Sequence, residues 1–292
     1  MSAWRPDTPD QLVRETDVTY CYGHPHTPTK LRCSRCDRPI CGRCAIPASV
    51  GQHCPECVAE ARRSAPRVRR LSASDAPAVF TILAVNALVF VAQQLVSTRH
   101  GFDLLTLRYG LFQPAIAHGQ WYRLLTPMLL HASLIHIGMN SLALYFIGPT
   151  VERAFGSLRF VALYVISGFM GSVGSYAFGR CPEIGIGASG AIFGILGVLL
   201  VYVYKRRSSA VHRQFLNNIL FLIVLNVVLD VAIPGIDLIA HLGGLAGGIL
   251  LGAGFDQQRI ATRTGSDVAT AAAVIGLGIA LVVWRTATFT CG

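Results

Sequence analysis

Seven apolar runs, each near the length needed to cross a bilayer, constrain this chain more than any other feature. They lie at about 78–97, 133–150, 158–178, 188–204, 216–233, 238–255 and 268–284. A spanning helix needs about 20 mostly apolar residues, with a range of roughly 17–25. The expected fold is therefore an all-α membrane protein, a bundle of seven transmembrane helices. Charged residues make up only 14% of the chain, against about 25% in soluble domains. The 29 glycines suit helices that pack through small residues. The formal charge of +10 does not argue for nucleic acid, and none is expected as a partner. Many Lys and Arg sit beside apolar runs rather than along one helix face, as in cytoplasmic loops.

Five segments follow from this pattern. Residues 1–20 are polar, contain Pro6 and Pro9, and are expected to be disordered. They lack an apolar stretch, so no cleavable signal peptide is expected and the first span acts as the insertion signal. Residues 21–60 hold most of the cysteines, and 61–76 form a basic linker. Residues 77–255 carry six spans. Residues 256–292 supply a cytoplasmic loop, a further C-terminal helix and a tail. The stretch 98–132 contains Trp121, Tyr122, Pro114 and Pro127 and reads as a structured loop lying partly in the membrane interface, where Trp and Tyr concentrate.

Orientation follows from the basic residues. With the N-terminus inside, the cytoplasmic segments carry Arg62, Arg63, Arg67, Arg69, Arg70, Arg153, Arg159, Lys205, Arg206, Arg207, Arg213, Arg259 and Arg263. The outer segments carry only Arg99, Arg108, Arg123, Arg180 and Arg285. This bias predicts a multi-pass cell-membrane protein with a cytoplasmic N-terminus and an outer C-terminus. Cys181 and Cys291 then both lie outside, where they either join the tail to the loop preceding Ser189 or remain two free thiols.

The fourth span opens with Gly187-Ala188-Ser189-Gly190 and the sixth with Ala240-His241-Leu242-Gly243-Gly244. Taken singly, Ser and Gly in membrane helices usually serve packing, and a His near a helix start often sits at the interface. Together they say more. Ser189 and His241 fall near the outer ends of their spans, at matching depth. Gly190 and Gly194 stand four apart, as do Gly244, Gly248 and Gly252, a spacing that lets two backbones approach. A serine hydroxyl becomes an effective nucleophile when an adjacent imidazole takes its proton. No carboxylate in the later spans is an obvious third member; Asp230 is a candidate only by its nearness in sequence. His136 and Asn140 share one face of the second span and can donate to an oxyanion with the Ser189 N–H, or simply bind helices together.

These motifs resemble those of the rhomboid intramembrane proteases. His136, Asn140, Leu144, Gly148, Glu152 and Gly156 follow one another at intervals of four, similar to the family's His-x3-Asn…Gly-x3-Glu-x3-Gly pattern. The segments at Ser189 and at His241, Gly244 and Gly248 resemble its Gly-x-Ser-Gly and Ala-His-x2-Gly-x3-Gly motifs. Trp121-Tyr122-Arg123 resembles its first-loop element, and His131 sits where an additional His is frequent. The resemblance covers about 77–255. It implies a Ser189–His241 dyad without a third carboxylate, and an oxyanion hole of His136, Asn140 and the Ser189 amide. It further implies an outward-opening wet cavity, single-span membrane substrates, no catalytic cofactor, and a six-plus-one arrangement of helices. Phe193 departs from the pattern, since many members have Tyr there. A pseudoprotease that binds membrane proteins without cutting is the alternative; the intact Ser189, His241, His136 and Asn140 argue against it. A transporter would want midplane charges, broken helices or an internal repeat, and none stands out.

The N-terminal segment reads Cys21-x2-His24, Cys33-x2-Cys36, Cys41-x2-Cys44 and Cys54-x2-Cys57. Four such pairs supply eight ligands, enough for two tetrahedral, structural zinc ions. His26 and His53 are spare donors. The spacing resembles a B-box-type zinc finger. That resemblance implies interleaved ligation, with Cys21, His24, Cys41 and Cys44 on one ion and Cys33, Cys36, Cys54 and Cys57 on the other; the spacing alone also allows sequential pairing. Expected roles are docking a cytosolic protein or self-association, with Arg62 to Arg70 able to meet anionic lipid.

Overall fold

The computed structural model describes residues 18–64, 73–96, 103–255 and 264–291, in two compact units divided near residue 70. Of the expected disordered segment, 1–17 lies outside the described residues, and Tyr20 already belongs to a strand. The expected linker is corrected at its start, because helix α1 (Pro55–Ser64) runs four residues into it. Residues 65–72 and 256–263, with Arg67, Arg69, Arg70, Arg259 and Arg263, lie outside the described residues, as does Arg99.

The first unit pairs β1 (Tyr20–Cys21) with β2 (His24–Pro28), and β3 (Ile46–Pro47) with β4 (Gln52–His53), both antiparallel. Its buried core consists of six cysteines and Ile40, with Tyr22 and Ala45 packed against them. So little apolar surface cannot offset the entropy of ordering the segment, so the cysteines must contribute something beyond packing.

The second unit is helical. Among the described residues five helices are long and apolar enough to cross a membrane: α2 (Pro77–Leu95), α5 (Leu134–Phe155), α6 (Ser157–Phe178), α8 (Ala210–Ala232) and α10 (from Thr264 to Ala287, apolar over Gly265–Ala287). The fourth and sixth of the expected seven spans are shorter. They are α7 (Ser189–Tyr204) and α9 (Leu238–Gly254), of 16 and 17 residues. Each differs from its expected run by one residue, α7 beginning at Ser189 and α9 ending at Gly254.

Between α2 and α5 the chain builds a folded layer from α3 (Leu104–Tyr109), α4 (Gln113–Ala117) and two 3-10 turns, Trp121–Leu124 and Thr126–Leu129. The buried guanidinium of Arg123 organises it, donating to the carbonyls of Gly110 (2.7 Å) and Leu107 (3.0 Å) and to Gln120 Oε1 (2.7 Å). Trp121 and Tyr122 stay exposed. Strand β5 (Leu111–Phe112) pairs with β6 (Ile184–Gly185), tying this layer to the loop before Ser189. A disulfide joins Cys181 in that loop to Cys291 in the tail, the bonded one of the two states left open by the sequence.

Glu152 explains one acidic position in an apolar bundle. Its carboxylate accepts the N–H groups of Ala78 and Val79 at 2.9 Å and the Ser157 hydroxyl at 2.6 Å. A helix N-terminus leaves such N–H groups without intrahelical partners and favours negative charge. Glu152 thus fastens the end of α5 to the start of α2.

At the centre, α7 lies against α6 and α9 with almost no side chain between backbones. A Cβ added at Gly244 would stand 1.9 Å from the Gly190 carbonyl oxygen, and one at Gly248 1.9 Å from that of Gly194. Ala usually stabilises a helix by about 1 kcal/mol over Gly, and overpacking a core costs about 1–3 kcal/mol or more. Because the clash is with backbone, Gly248→Ala should fall at the costly end and lower thermal stability in detergent by about 2 kcal/mol net of the helix gain. Gly276→Ala, where α10 leaves the added atom open space, should be neutral or slightly stabilising. Equal melting temperatures for the two variants would contradict this packing account.

Candidate active site and metal centre

Ser189 is the first residue of α7, and its motif enters through Gly187, which holds φ +133°. The Gly187 N–H is fixed by the Pro127 carbonyl at 2.9 Å. A Cβ on Gly187 would stand 2.8 Å from His136 Nε2 and 3.6 Å from Ser189 Oγ, so this glycine sits between the two side chains. Any other residue would fill the space where they converge.

His241 is the fourth residue of α9. Asp237 caps that helix by accepting the Ala240 N–H at 2.9 Å, and its other oxygen meets the Ser175 hydroxyl of α6. Gly190 lies against Ala240, so the first turns of α7 and α9 meet side by side. Phe193, one turn beyond Ser189 on the same face of α7, stacks on the His241 imidazole with centroids 4.2 Å apart and planes 11° apart. The absence of a hydroxyl at this position leaves the aromatic face in place.

The edge of the His241 ring has a second partner. Nδ1 lies 2.6 Å from Asp230 Oδ2, and both residues are buried. The sequence reading missed this contact, having Asp230 only as a neighbour in the chain.

His136 and Asn140 open α5, whose first turn is capped by Ser133 accepting the His136 N–H at 3.1 Å. The Asn140 amide nitrogen is buried and has no hydrogen-bond partner among the described residues. Such a donor is costly unless something accepts from it, which suits a site for a transient negative charge. His131 is buried beside this corner, its ring edge-on to His136 at 5.2 Å. Its backbone is bound by Gln93, which donates to the His131 carbonyl at 3.3 Å and accepts its N–H at 3.0 Å.

In the other unit the eight expected ligands form two clusters, within each of which the donor atoms lie within 4.8 Å of one another. One is Cys21, His24, Cys41 and Cys44; the other is Cys33, Cys36, Cys54 and Cys57. The grouping is interleaved, and His26 and His53 belong to neither. His24 Nδ1 lies 3.3 Å from Cys44 Sγ and 3.4 Å from Cys41 Sγ, and Cys36 Sγ lies 3.7 Å from Cys54 Sγ. Tetrahedral zinc with Zn–S bonds of about 2.3 Å sets its sulfur ligands about 3.8 Å apart, so the donors fit such an ion. The thiols themselves favour a cation. Burial opposes ionisation of Cys33, but N–H groups of Cys54, Arg35 and Cys36 outweigh it and bring its pKa to about 6. Its neighbour Cys57 is pushed up to about 12 by its hydrogen bond to Cys54, by burial and by the other thiols. Thiolates crowded this closely repel one another, and a metal ion relieves that repulsion.

Comparison with known proteins places the helical unit. A rhomboid-domain family model matches residues 118–258, which include all four expected bilayer site residues. The rhomboid protease GluP of Bacillus subtilis is 38% identical over 169 residues, 58% of this chain and 32% of that protein. A second Bacillus subtilis protein, YdcA, provisionally assigned to the rhomboid proteases, is 35% identical over 175 residues, 60% of this chain and 86% of that one. The chain belongs to the rhomboid family. RHOMBOID-like protein 4 of Arabidopsis thaliana is 45% identical over 132 residues, 45% of this chain and 33% of that protein. This rhomboid thus spans about a third of the length of two of these relatives and most of the third. It is a helical membrane protein whose family includes proteases, preceded by two Cys/His clusters able to hold metal ions.

Proposed function

We propose that this protein is an intramembrane serine protease that hydrolyses peptide bonds in or near the transmembrane segment of single-span membrane proteins. The observation that supports it is the packing of Gly190 on Ala240 and of Phe193 on His241 where α7 and α9 begin. In this reading His241 takes the proton of Ser189 as Oγ adds to the scissile carbonyl. The oxyanion accepts hydrogen bonds from His136, from the unpartnered Asn140 amide and from the Ser189 N–H, which as the first of its helix has no intrahelical partner. The proton passes to the departing amine. Water, deprotonated by His241, then cleaves the acyl-enzyme and restores Ser189.

A substrate helix must unwind locally before its carbonyl reaches Ser189. Weak helix formers such as Gly, Pro and β-branched residues near the cut lower that cost. The basic residues orient the N-terminus to the cytoplasm and the Ser189 end outward. The Cys/His unit holds two structural zinc ions and docks a cytosolic partner, associates with itself or, with its basic flank, meets anionic lipid. Catalysis needs no cofactor. The test is a comparison of membrane proteomes from cells carrying the unaltered protein or Ser189→Ala. Ectodomains shed only with the unaltered protein are expected; identical shed sets with both, at equal protein levels, would sink the proposal.

A further inference from the structure

The carboxylate of Asp230 has no evident reason to be where it is unless His241 needs it. Helix α8 is strongly apolar, with mean hydropathy 2.1 over its best window. Asp230 is its sole carboxylate. Of the whole helix only Ile219 and Asp230 are buried. They stand 11 residues apart, about three turns, and so define the one inward face. An ionisable group inside a membrane bundle is expensive and needs a partner. The partner is His241 Nδ1, at 2.6 Å.

That contact bears on the state of the imidazole. An ionised carboxylate only accepts hydrogen bonds, so opposite ionised Asp230 it is Nδ1 that carries the hydrogen shared with Oδ2. Neutral His241 is then left with its lone pair on Nε2, the form able to take a proton. Phe193 fixes the ring plane by stacking, and Asp230 fixes rotation within that plane. When Nε2 gains the Ser189 proton, the carboxylate faces the resulting imidazolium.

We propose that Asp230 is a positioning residue that completes the Ser189–His241 unit, holding His241 in its Nδ1-protonated tautomer and stabilising the imidazolium formed during acyl transfer. The inference rests on the protease reading above. Other titratable groups near this site are His136 on α5, which borders Gly187 beside Ser189, and Asp237 at the start of α9 itself, whose carbonyl accepts the His241 N–H at 3.2 Å. From α7, Phe193 stacks on the ring one turn beyond Ser189. Among the described residues α6 brings glycine backbone and the Ser175 hydroxyl to this end of α9. Among the described residues Asp230 is the one carboxylate hydrogen-bonded to the ring.

The test is the pH dependence of cleavage of a single-span substrate in proteoliposomes by unaltered protein, Asp230→Asn, Asp230→Glu and Ser189→Ala. An amide keeps the shape, removes the charge and permits the wrong tautomer. The equivalent change in soluble serine proteases lowers kcat about 10⁴-fold. Asp230→Asn should lose at least about 10²-fold in kcat, with KM changed less than about threefold. Removing a negative charge disfavours the imidazolium, so the acid limb of the profile should move to lower pH. Asp230→Glu should recover part of kcat and return the limb toward its original position. A contact that merely held α8 in place would lower thermal stability without moving the limb. That pattern, or near-normal kcat in Asp230→Asn, overturns the inference. If Ser189→Ala is inactive at the same time, the Ser–His reading stands; if Ser189→Ala also cleaves, both fall. Should Asp230→Asn fail to fold, ¹⁵N-histidine spectra of the unaltered protein decide. His241 protonated at Nδ1, with a strongly deshielded proton, supports the inference, and the neutral Nε2-protonated tautomer overturns it.

Discussion

Ser189→Ala, His241→Ala and the double variant should all reduce cleavage of a transmembrane substrate to about the same residual level. A nucleophile without its base keeps its position but loses its reactivity, and a base without its nucleophile has no proton to take. Members of such a unit are far from additive, so removing one costs nearly as much as removing both; in a soluble serine protease the loss is about 10⁶-fold in kcat. His136→Ala and Asn140→Ala should cost less, about 10²–10³-fold each, because the remaining donors still act. Protein level and melting temperature in detergent serve as controls, since Asn140 is buried in α5 and its loss could loosen the bundle. Independent, multiplicative losses for Ser189 and His241 would contradict the shared role.

The second large effect concerns metal. Full-length protein purified without chelator should carry two zinc ions per chain. Stripping them should unfold the N-terminal unit, because its core is little more than its own ligands and Ile40. Apparent zinc-binding energies of about 10–16 kcal/mol in small fingers are folding energies. Cleavage by the helical unit should persist. Replacing Cys21, His24, Cys41 and Cys44 together separates the two pairings. The interleaved arrangement keeps one intact site and one zinc, whereas sequential pairing would break both and leave none. A chain with no zinc after this change would contradict the observed grouping, and less than one zinc in the unaltered protein would reject the two-site claim.

Much of this was legible in the sequence because it depends on local pattern. Hydropathy alone located all seven apolar helices, since the length of a run is the signal. The x2 spacing of Cys and His located all eight clustered donors. What escaped depended on how separate elements fold back on one another. Gly235, with φ +87° in the turn after α8, returns the chain so that Asp230 meets His241, and no periodicity encodes a contact across such a turn. Glu152 fell at its place in a spacing motif, yet its role as a cap for α2 appears only when the fold brings it to Val79, 73 residues away in sequence. The disulfide lay between: sequence and charge put both cysteines on one side, and the fold brought their Cα atoms to 5.5 Å.

The central claim, that Ser189 is a nucleophile activated by His241, is tested most directly by a serine-directed phosphonate on the purified protein, read by peptide mass spectrometry. The account predicts a covalent adduct on Ser189 and on no other serine of the bundle, with labelling lost in stable His241→Ala protein. An unlabelled Ser189 in folded protein, or labelling that proceeds at the same rate without His241, would contradict it.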